Sequence, residues 1–241
     1  MKKILLTGLV ALQSTWAYSA ASYGPQLCVY PQYDCLKIVR GHSWQSLFPD
    51  TNHRDLVQRL NRTYNTLWPG KEIAVPINLT NLTLLDISPL PLHIDTDGEK
   101  QIIVDQEKLA WGAYNHEGHL VKWGPISSGR DKCVDSPKSC RTITGIFRIF
   151  SKENEHCRSN TYDNARMPYC MYFHKGFALH GSNDIPGYRA SHGCVRMFTE
   201  DAKWLNHEFI ELPSENNNFL GTKVVVNPLL SNSTAPVNNK R

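Results

Sequence analysis

Seven cysteines constrain this chain of 241 residues more than any other feature. Six of them fall near one another in sequence, as Cys28 and Cys35, Cys133 and Cys140, and Cys157 and Cys170, which leaves Cys194 over. In an oxidising compartment such neighbours read as disulfides that pin loops with too little apolar surface to order themselves. Six cysteines allow many connectivities, so neighbour pairing is one reading among several. A zinc site is the competing reading, but the chain has no Cys-x-x-Cys or His-x-x-x-His spacing, so neither metal nor cofactor is expected. The odd cysteine, Cys194, is then either an intermolecular bridge or a reactive thiol.

The compartment follows from the start of the chain. Met1, Lys2 and Lys3 precede an apolar run from Ile4 to Trp16, and small residues around Ser19, Ala20 and Ala21 offer a cleavage site. Residues 1–21 are expected to be a secretory signal peptide, too short for a membrane span, and no later stretch approaches a span's length. Export to the bacterial periplasm or cell wall is the matching expectation. The formal charge of +4 does not argue otherwise. Without Lys2, Lys3, Lys240 and Arg241, at the two ends, basic and acidic residues balance at 22 each. A neutral core lacks the basic footprint of a nucleic-acid binder.

Cys194 sits in a run that carries chemistry. His180 stands fourteen residues before it, and Ser191, His192 and Gly193 precede it directly. The thiolate is the nucleophilic form of cysteine, and a neighbouring histidine can bring its pKa down to about 3.5–7.5. Gly193 permits close backbone approach to a bound carbonyl, so the N–H groups of Gly193 and Cys194 are candidates to receive an oxyanion.

The run Ser191, His192, Gly193, Cys194, Val195, Arg196 and Met197, with His180 upstream, resembles the signature of the L,D-transpeptidases, the YkuD-type catalytic domain. Ile143 to Phe147 resembles the family's Thr-Pro-x-Gly-x-Phe strand entry, with Ile143 at the proline position. Met167, Pro168 and Tyr169 resemble its Met-Pro-Tyr segment, which lines the substrate cleft. The resemblance implies a cysteine acyltransferase. Cys194 would attack a peptidoglycan tetrapeptide stem after its third residue, release D-alanine, and pass the acyl group to an amine in a 3→3 cross-link or related cell-wall attachment. It also implies His180 as base, the Gly181 carbonyl as its orienting partner, and Gly193 in the oxyanion site. Ser191, His192, Met167 and Tyr169 would shape the substrate pocket. Arg196 would pair with a substrate carboxylate or make a structural salt bridge. With water as acceptor, the same residues would make an L,D-carboxypeptidase or endopeptidase. A peptidoglycan-binding protein without catalysis is the remaining alternative.

Upstream, Leu36 to Val39 has the character of a short strand, Ser43 can cap a helix containing Trp44, Leu47 and Phe48, and a second helical run extends from Arg54 to Asn65. Ile73 to Pro76 closes the unit as a strand. Strand, two helices and strand over residues 24–77 resemble a LysM domain, which implies contact with the glycan strands of peptidoglycan. Residues 78–99, with Pro89 and Pro91, read as a linker or surface connection. Short alternating segments from Gln101 onward imply a mainly β catalytic domain over 100–227, a β-sandwich with a helix and a loop lid. Thr199 is the expected N-cap of that helix, with Ala202, Leu205 and Phe209 on its buried face. Residues 228–241 are expected to be a disordered tail.

Overall fold

The computed structural model describes residues 22–133 and 139–230. The expected signal peptide lies outside the described residues, as does the tail beyond residue 230.

The chain opens with one helical turn, α1 (Tyr23–Gln26), and then forms a βααβ unit. Strand β1 (Tyr33–Lys37) pairs antiparallel with β2 (Glu72–Pro76), Leu36 opposite Ile73. Between them lie α2 (Trp44–Leu47) and α3 (Thr51–Leu60). Ser43 caps α2 by accepting from the Ser46 N–H, and Asp50 caps α3 by accepting from the His53 N–H at 2.8 Å. Both caps satisfy amide groups that have no partner within the helix. Ile38, Trp44, Phe48, Val57, Leu67 and Ile73 fill the unit's own core. The strand expected at Leu36 to Val39 begins earlier and ends at Lys37. Helix α3 stops five residues short of Asn65, because Arg62 turns into the left-handed region at φ 56.

The rest of the chain is mainly β. Nine strands form one sheet: β3 (Gln101–Asp105), β4 (Ala110–Tyr114), β5 (Leu120–Ser127), β6 (Gly145–Arg148), β7 (Ser151–Lys152), β8 (Met171–His174), β9 (Phe177–Gly181), β10 (Val195–Met197) and β11 (Lys223–Val226). Their spatial order is β6-β11-β3-β4-β5-β10-β9-β8-β7. The expected sandwich is therefore one continuous curled sheet and not two separate ones. Strand β5 makes the corner: Leu120 to Pro125 pair with β4, and Ile126 and Ser127 pair with β10. A core of Ile102, Trp111, Ile126, Met171, Leu179 and Val224 lies inside the curl.

Helix α4 (Thr199–Trp204), continued by a π turn at Leu205–Phe209, plugs that core with Ala202, Leu205 and Phe209. Phe198, and not Thr199, is the N-cap position, and no side chain caps it. Glu200 and Asp201 in the first turn still suit the positive end of the helix.

Residues 78–99 are irregular but not a slack tether. Ile87 and Leu90 are buried together with Leu56, Leu60 and Ala74 of the βααβ unit and with Ala110, Tyr114, Leu120 and Trp123 of the sheet. The same apolar cluster thus seals the unit to the convex side of β4 and β5.

Candidate active site

Strands β9 and β10 are parallel neighbours, with His180 opposite Arg196 and Leu179 opposite Val195. Side chains alternate along a strand, so Cys194 and Arg196 share the face that His180 occupies on β9. All three line one cavity, together with Met167, Ser191 and His192. Met167 apart, these residues come from the end of β9, the start of β10 and the loop between them.

His180 is buried, and its Nδ1 lies 2.8 Å from the Gly181 carbonyl oxygen. A carbonyl only accepts, so Nδ1 carries the proton and the neutral ring keeps its lone pair on Nε2. Burial lowers the His180 pKa to about 4, the Gly181 hydrogen bond works against this, and the charge of Arg196 adds to it. Gly181 has a steric reason to be glycine: a Cβ there would stand 3.0 Å from Thr199 Cα and 3.2 Å from the Pro168 carbonyl oxygen.

Cys194 is the free cysteine. The other six pair as Cys28–Cys35, Cys133–Cys140 and Cys157–Cys170, the neighbour pairing. The Cys194 thiol, half-buried, is 3.5 Å from the Gly176 carbonyl oxygen. Burial pushes its pKa above the ordinary cysteine value, opposed by a hydrogen bond from the Ala178 backbone and by Arg196. With His180 uncharged, there is no imidazolium to stabilise a thiolate, and the resting pair is neutral thiol and neutral imidazole at pH 7.

The loop before Cys194 is held by its own polar groups. Gly193 N–H donates to Ser191 Oγ at 3.0 Å, and Ser191 Oγ donates to the Cys194 carbonyl at 2.5 Å. Thr142 Oγ1 donates to the Gly193 carbonyl at 2.7 Å and accepts from Gly129 N–H at 2.8 Å. Gly193 sits at φ 126, where a side chain is strained, and a Cβ would meet the Phe177 ring at 3.0 Å. The Ser191 hydroxyl, on the cavity wall, is thus also engaged in the loop, and the Gly193 N–H is bonded to it.

The remaining expected residues divide. Met167 and His192 line the cavity, and the His192 ring lies 4.9 Å from that of Tyr162. Tyr169 does not line it. It turns, at φ 57, into a neighbouring depression beside Pro168 and Thr199, with its ring 5.4 Å from that of His207. Arg196 makes the salt bridge that was its second reading, Nη1 to Asp184 Oδ2 at 2.9 Å.

Three contributors were not singled out from sequence: Tyr162 and Arg166 on the cavity wall, and Thr142 beneath Gly193. The spacing of Cys157 and Cys170 was the available signal for the first two, since that disulfide closes the loop carrying them. For Thr142 the signal was the Thr-Pro-x-Gly-x-Phe resemblance, whose threonine position it holds. Tyr162, Met167 and Cys194 also border a second opening, lined on its far side by Phe150, Tyr172 and Lys175, so the thiol is reached from both sides of this loop.

The sequence matches the YkuD family, the L,D-transpeptidase catalytic domain, over residues 99–226, more than half of the chain. The chain belongs to this family. Among solved structures, this YkuD protein is similar to an L,D-transpeptidase (residues 123–326) from Xylanimonas cellulosilytica, at 25% identity and a TM-score of 0.53, covering 73% of this chain and 80% of that one. An L,D-transpeptidase from Stackebrandtia nassauensis is 22% identical with a TM-score of 0.44, covering 56% and 58%. A cysteine-to-serine mutant of the Enterococcus faecium L,D-transpeptidase is 23% identical with a TM-score of 0.43, covering 54% and 50%. No curated protein matches the chain. Among the described residues, no helix of this YkuD protein is long and apolar enough to cross a membrane.

Proposed function

We propose that this YkuD protein is an exported L,D-transpeptidase acting on peptidoglycan stem peptides, with Cys194 as nucleophile and His180 as base. One observation carries the reading: a free thiol shares a cavity with a buried histidine whose Nδ1 proton is committed to the Gly181 carbonyl. That hydrogen bond fixes the tautomer able to take a proton at Nε2.

Because thiol and imidazole rest uncharged, proton transfer accompanies attack. Cys194 Sγ adds to the carbonyl carbon after the third stem residue while its proton passes to His180 Nε2. The oxyanion that forms faces the Cys194 N–H, the loop donor left once Gly193 N–H is given to Ser191. Collapse expels D-alanine, which takes the proton back from His180, and leaves a thioester on Cys194. The amine of a second stem then attacks the thioester, its proton leaves through His180, and the thiol returns. Splitting acyl transfer in two in this way is covalent catalysis. The two openings beside Cys194 suit a donor stem on one side and an acceptor on the other. The βααβ unit over residues 24–77 is read as LysM-like and as a contact for glycan strands, and residues 1–21 as the export signal to the periplasm or cell wall.

Mass spectrometry of the mature protein mixed with a purified tetrapeptide muropeptide tests this. D-alanine release with an acyl adduct on Cys194 supports the reading. A cross-linked dimer product assigns the amine as acceptor, and a tripeptide alone assigns water and a carboxypeptidase. Reduced Cys194 with neither adduct nor D-alanine sinks catalysis on this stem and leaves a binding protein.

A further inference from the structure

The βααβ unit does more than sit beside the sheet. Its last segment before β2 reaches the loop that joins β9 to β10. Thr63 forms a β-bridge with Pro186, and the Tyr64 hydroxyl donates to the Ser182 carbonyl. Asn65 makes the most specific contact. Its side-chain Nδ2 donates to Asp184 Oδ1 at 2.8 Å, and its Oδ1 accepts from the Ile185 N–H at 2.9 Å. The other oxygen of Asp184 receives Arg196 Nη1 at 2.9 Å. Asn65 is itself fixed from the unit's core, since the buried Trp44 indole donates to its carbonyl at 2.8 Å.

We propose that Asn65 is a positioning residue for the Cys194 site, acting through Asp184 on Arg196. The unit is thereby part of the catalytic machinery as well as an appendage to it. This rests on the reading of Cys194 as the reactive thiol, but not on the identity of its substrate. One amide fixes two things at once. Its oxygen sets the height of the loop backbone at Ile185, and its nitrogen turns the Asp184 carboxylate toward Arg196, which stands opposite His180 and shares its face with Cys194. Without the amide, Asp184, which is largely exposed on a loop, is left with only its pair to Arg196 to hold its rotamer. The guanidinium then loses its fixed place beside the thiol. The other charged or titratable groups around that thiol are His180, His192, Tyr162 and Arg166 in its cavity and Glu153, Tyr172 and Lys175 at the second opening, with Arg130 acting on Arg196.

The test is alkylation of Cys194 by iodoacetamide as a function of pH in the full chain, beside thermal unfolding. Asn65→Ala is expected to raise the midpoint of the alkylation profile, lowering the rate at pH 7 about threefold or more, with the protein still folded. Asn65→Asp keeps an acceptor for Ile185 but sets a carboxylate against Asp184, and is expected to raise the midpoint at least as far. Asn81→Ala, an exposed asparagine of the same half of the chain, is the control expected to change nothing. An unchanged midpoint in folded Asn65→Ala and Asn65→Asp overturns the proposal. Should Asn65→Ala unfold, Asn65→Ser, uncharged and too short to reach both Asp184 and Ile185, must show the same rise, and its failure to do so overturns the proposal equally. A normal shift in a protein that releases no D-alanine would instead count against the transpeptidase reading alone.

Discussion

Arg59 of helix α3 and Asp201 of helix α4 form a two-pronged ion pair, with Nη1–Oδ2 at 2.7 Å and Nη2–Oδ1 at 2.9 Å, and both side chains are buried. Burial works against the charge of Arg59, but Asp201, with Asp55, more than offsets it and leaves the guanidinium firmly protonated. Arg59 also donates to the Trp123 carbonyl at 3.1 Å, so the pair ties the βααβ unit, strand β5 and the helix after the site together.

Breaking this pair from one side is expected to destabilise the whole chain. Asp201→Ala leaves a buried guanidinium without its main partner, a change that typically costs about 3–5 kcal/mol. Lys122 Nζ, 3.4 Å from Asp201, would lose its partner too. Replacing both residues by apolar ones, Arg59→Met with Asp201→Leu, removes the stranded charge and is expected to recover much of the loss. Urea unfolding of the single and double variants checks this. If the double variant is as unstable as the two singles added together, the pair is not coupled as the geometry requires.

His180 makes stability depend on pH. Its folded pKa is about 4, against 6.5 for the unperturbed group. Between those values the unfolded chain binds a proton that the folded chain refuses, so stability falls as pH drops from 6.5 toward 4. Above pH 6.5 both states are neutral and the group contributes nothing. The full penalty at the acid end is on the order of 3 kcal/mol. His180→Gln should lack this share of the acid loss, leaving the part due to carboxylates such as Asp131 and Glu99, whose pKa values are lowered. Identical pH–stability curves for the two proteins would mean that His180 is not held neutral by burial.

Much of the site was legible because its parts are local. Ser191 to Met197 is a contiguous motif, and His180 lies one loop away on the strand that pairs with it. The cysteine pairs were legible for the same reason, each closing a short stretch of chain. The elements of the βααβ unit followed from caps and periodicity at Ser43, Leu56 and Val57. What stayed hidden depends on contacts between distant segments. Asn65 and Asp184 are 119 residues apart, and Thr142 and Gly193 are 51 apart. Burial of both histidine and thiol likewise comes from packing across the curl, so the neutral resting pair could not be read from a Cys–His spacing. Tyr169 stands in a depression beside the Cys194 cavity, because its left-handed backbone turns the side chain toward His207. The packing of the 78–99 connection was not legible because Ile87 and Leu90 find a core made by two other parts of the chain.

Gly193→Ala is expected to damage activity more than stability. The new methyl group would have to adopt φ 126 and press on the Phe177 ring, and strain of this kind costs about 1–3 kcal/mol. Relief is available by shifting the loop, which moves Cys194 next door and breaks the Ser191 bonds at 3.0 and 2.5 Å. A misplacement near 1 Å at a reacting group can lower the rate about a hundredfold. The measurement is kcat/KM for D-alanine release beside the unfolding midpoint. Full activity in the alanine variant would show that the loop tolerates the shift and that this geometry is not needed.

The Cys157–Cys170 disulfide is expected to act on substrate capture. It closes a stretch of 13 residues that carries Tyr162, Arg166 and Met167 over the Cys194 cavity. Apart from the disulfide, that stretch is held mostly by hydrogen bonds within itself, such as Ser159 N–H to the Ala165 carbonyl and Met167 N–H to the Cys157 carbonyl, while the Tyr162 ring against His192 ties it to the site. A closed loop of such length limits the unfolded chain by about 3 kcal/mol, but local opening needs far less than global unfolding. The double variant Cys157→Ser, Cys170→Ser should therefore fold and keep an alkylatable Cys194, while KM for a stem peptide rises and proteases cut between residues 158 and 166. His180 and Gly181 lie on a strand outside this loop, so kcat should fall less than KM rises. A variant that loses kcat with KM unchanged would place the disulfide in the service of the catalytic pair, and resistance to proteolysis would show that the segment orders itself without it.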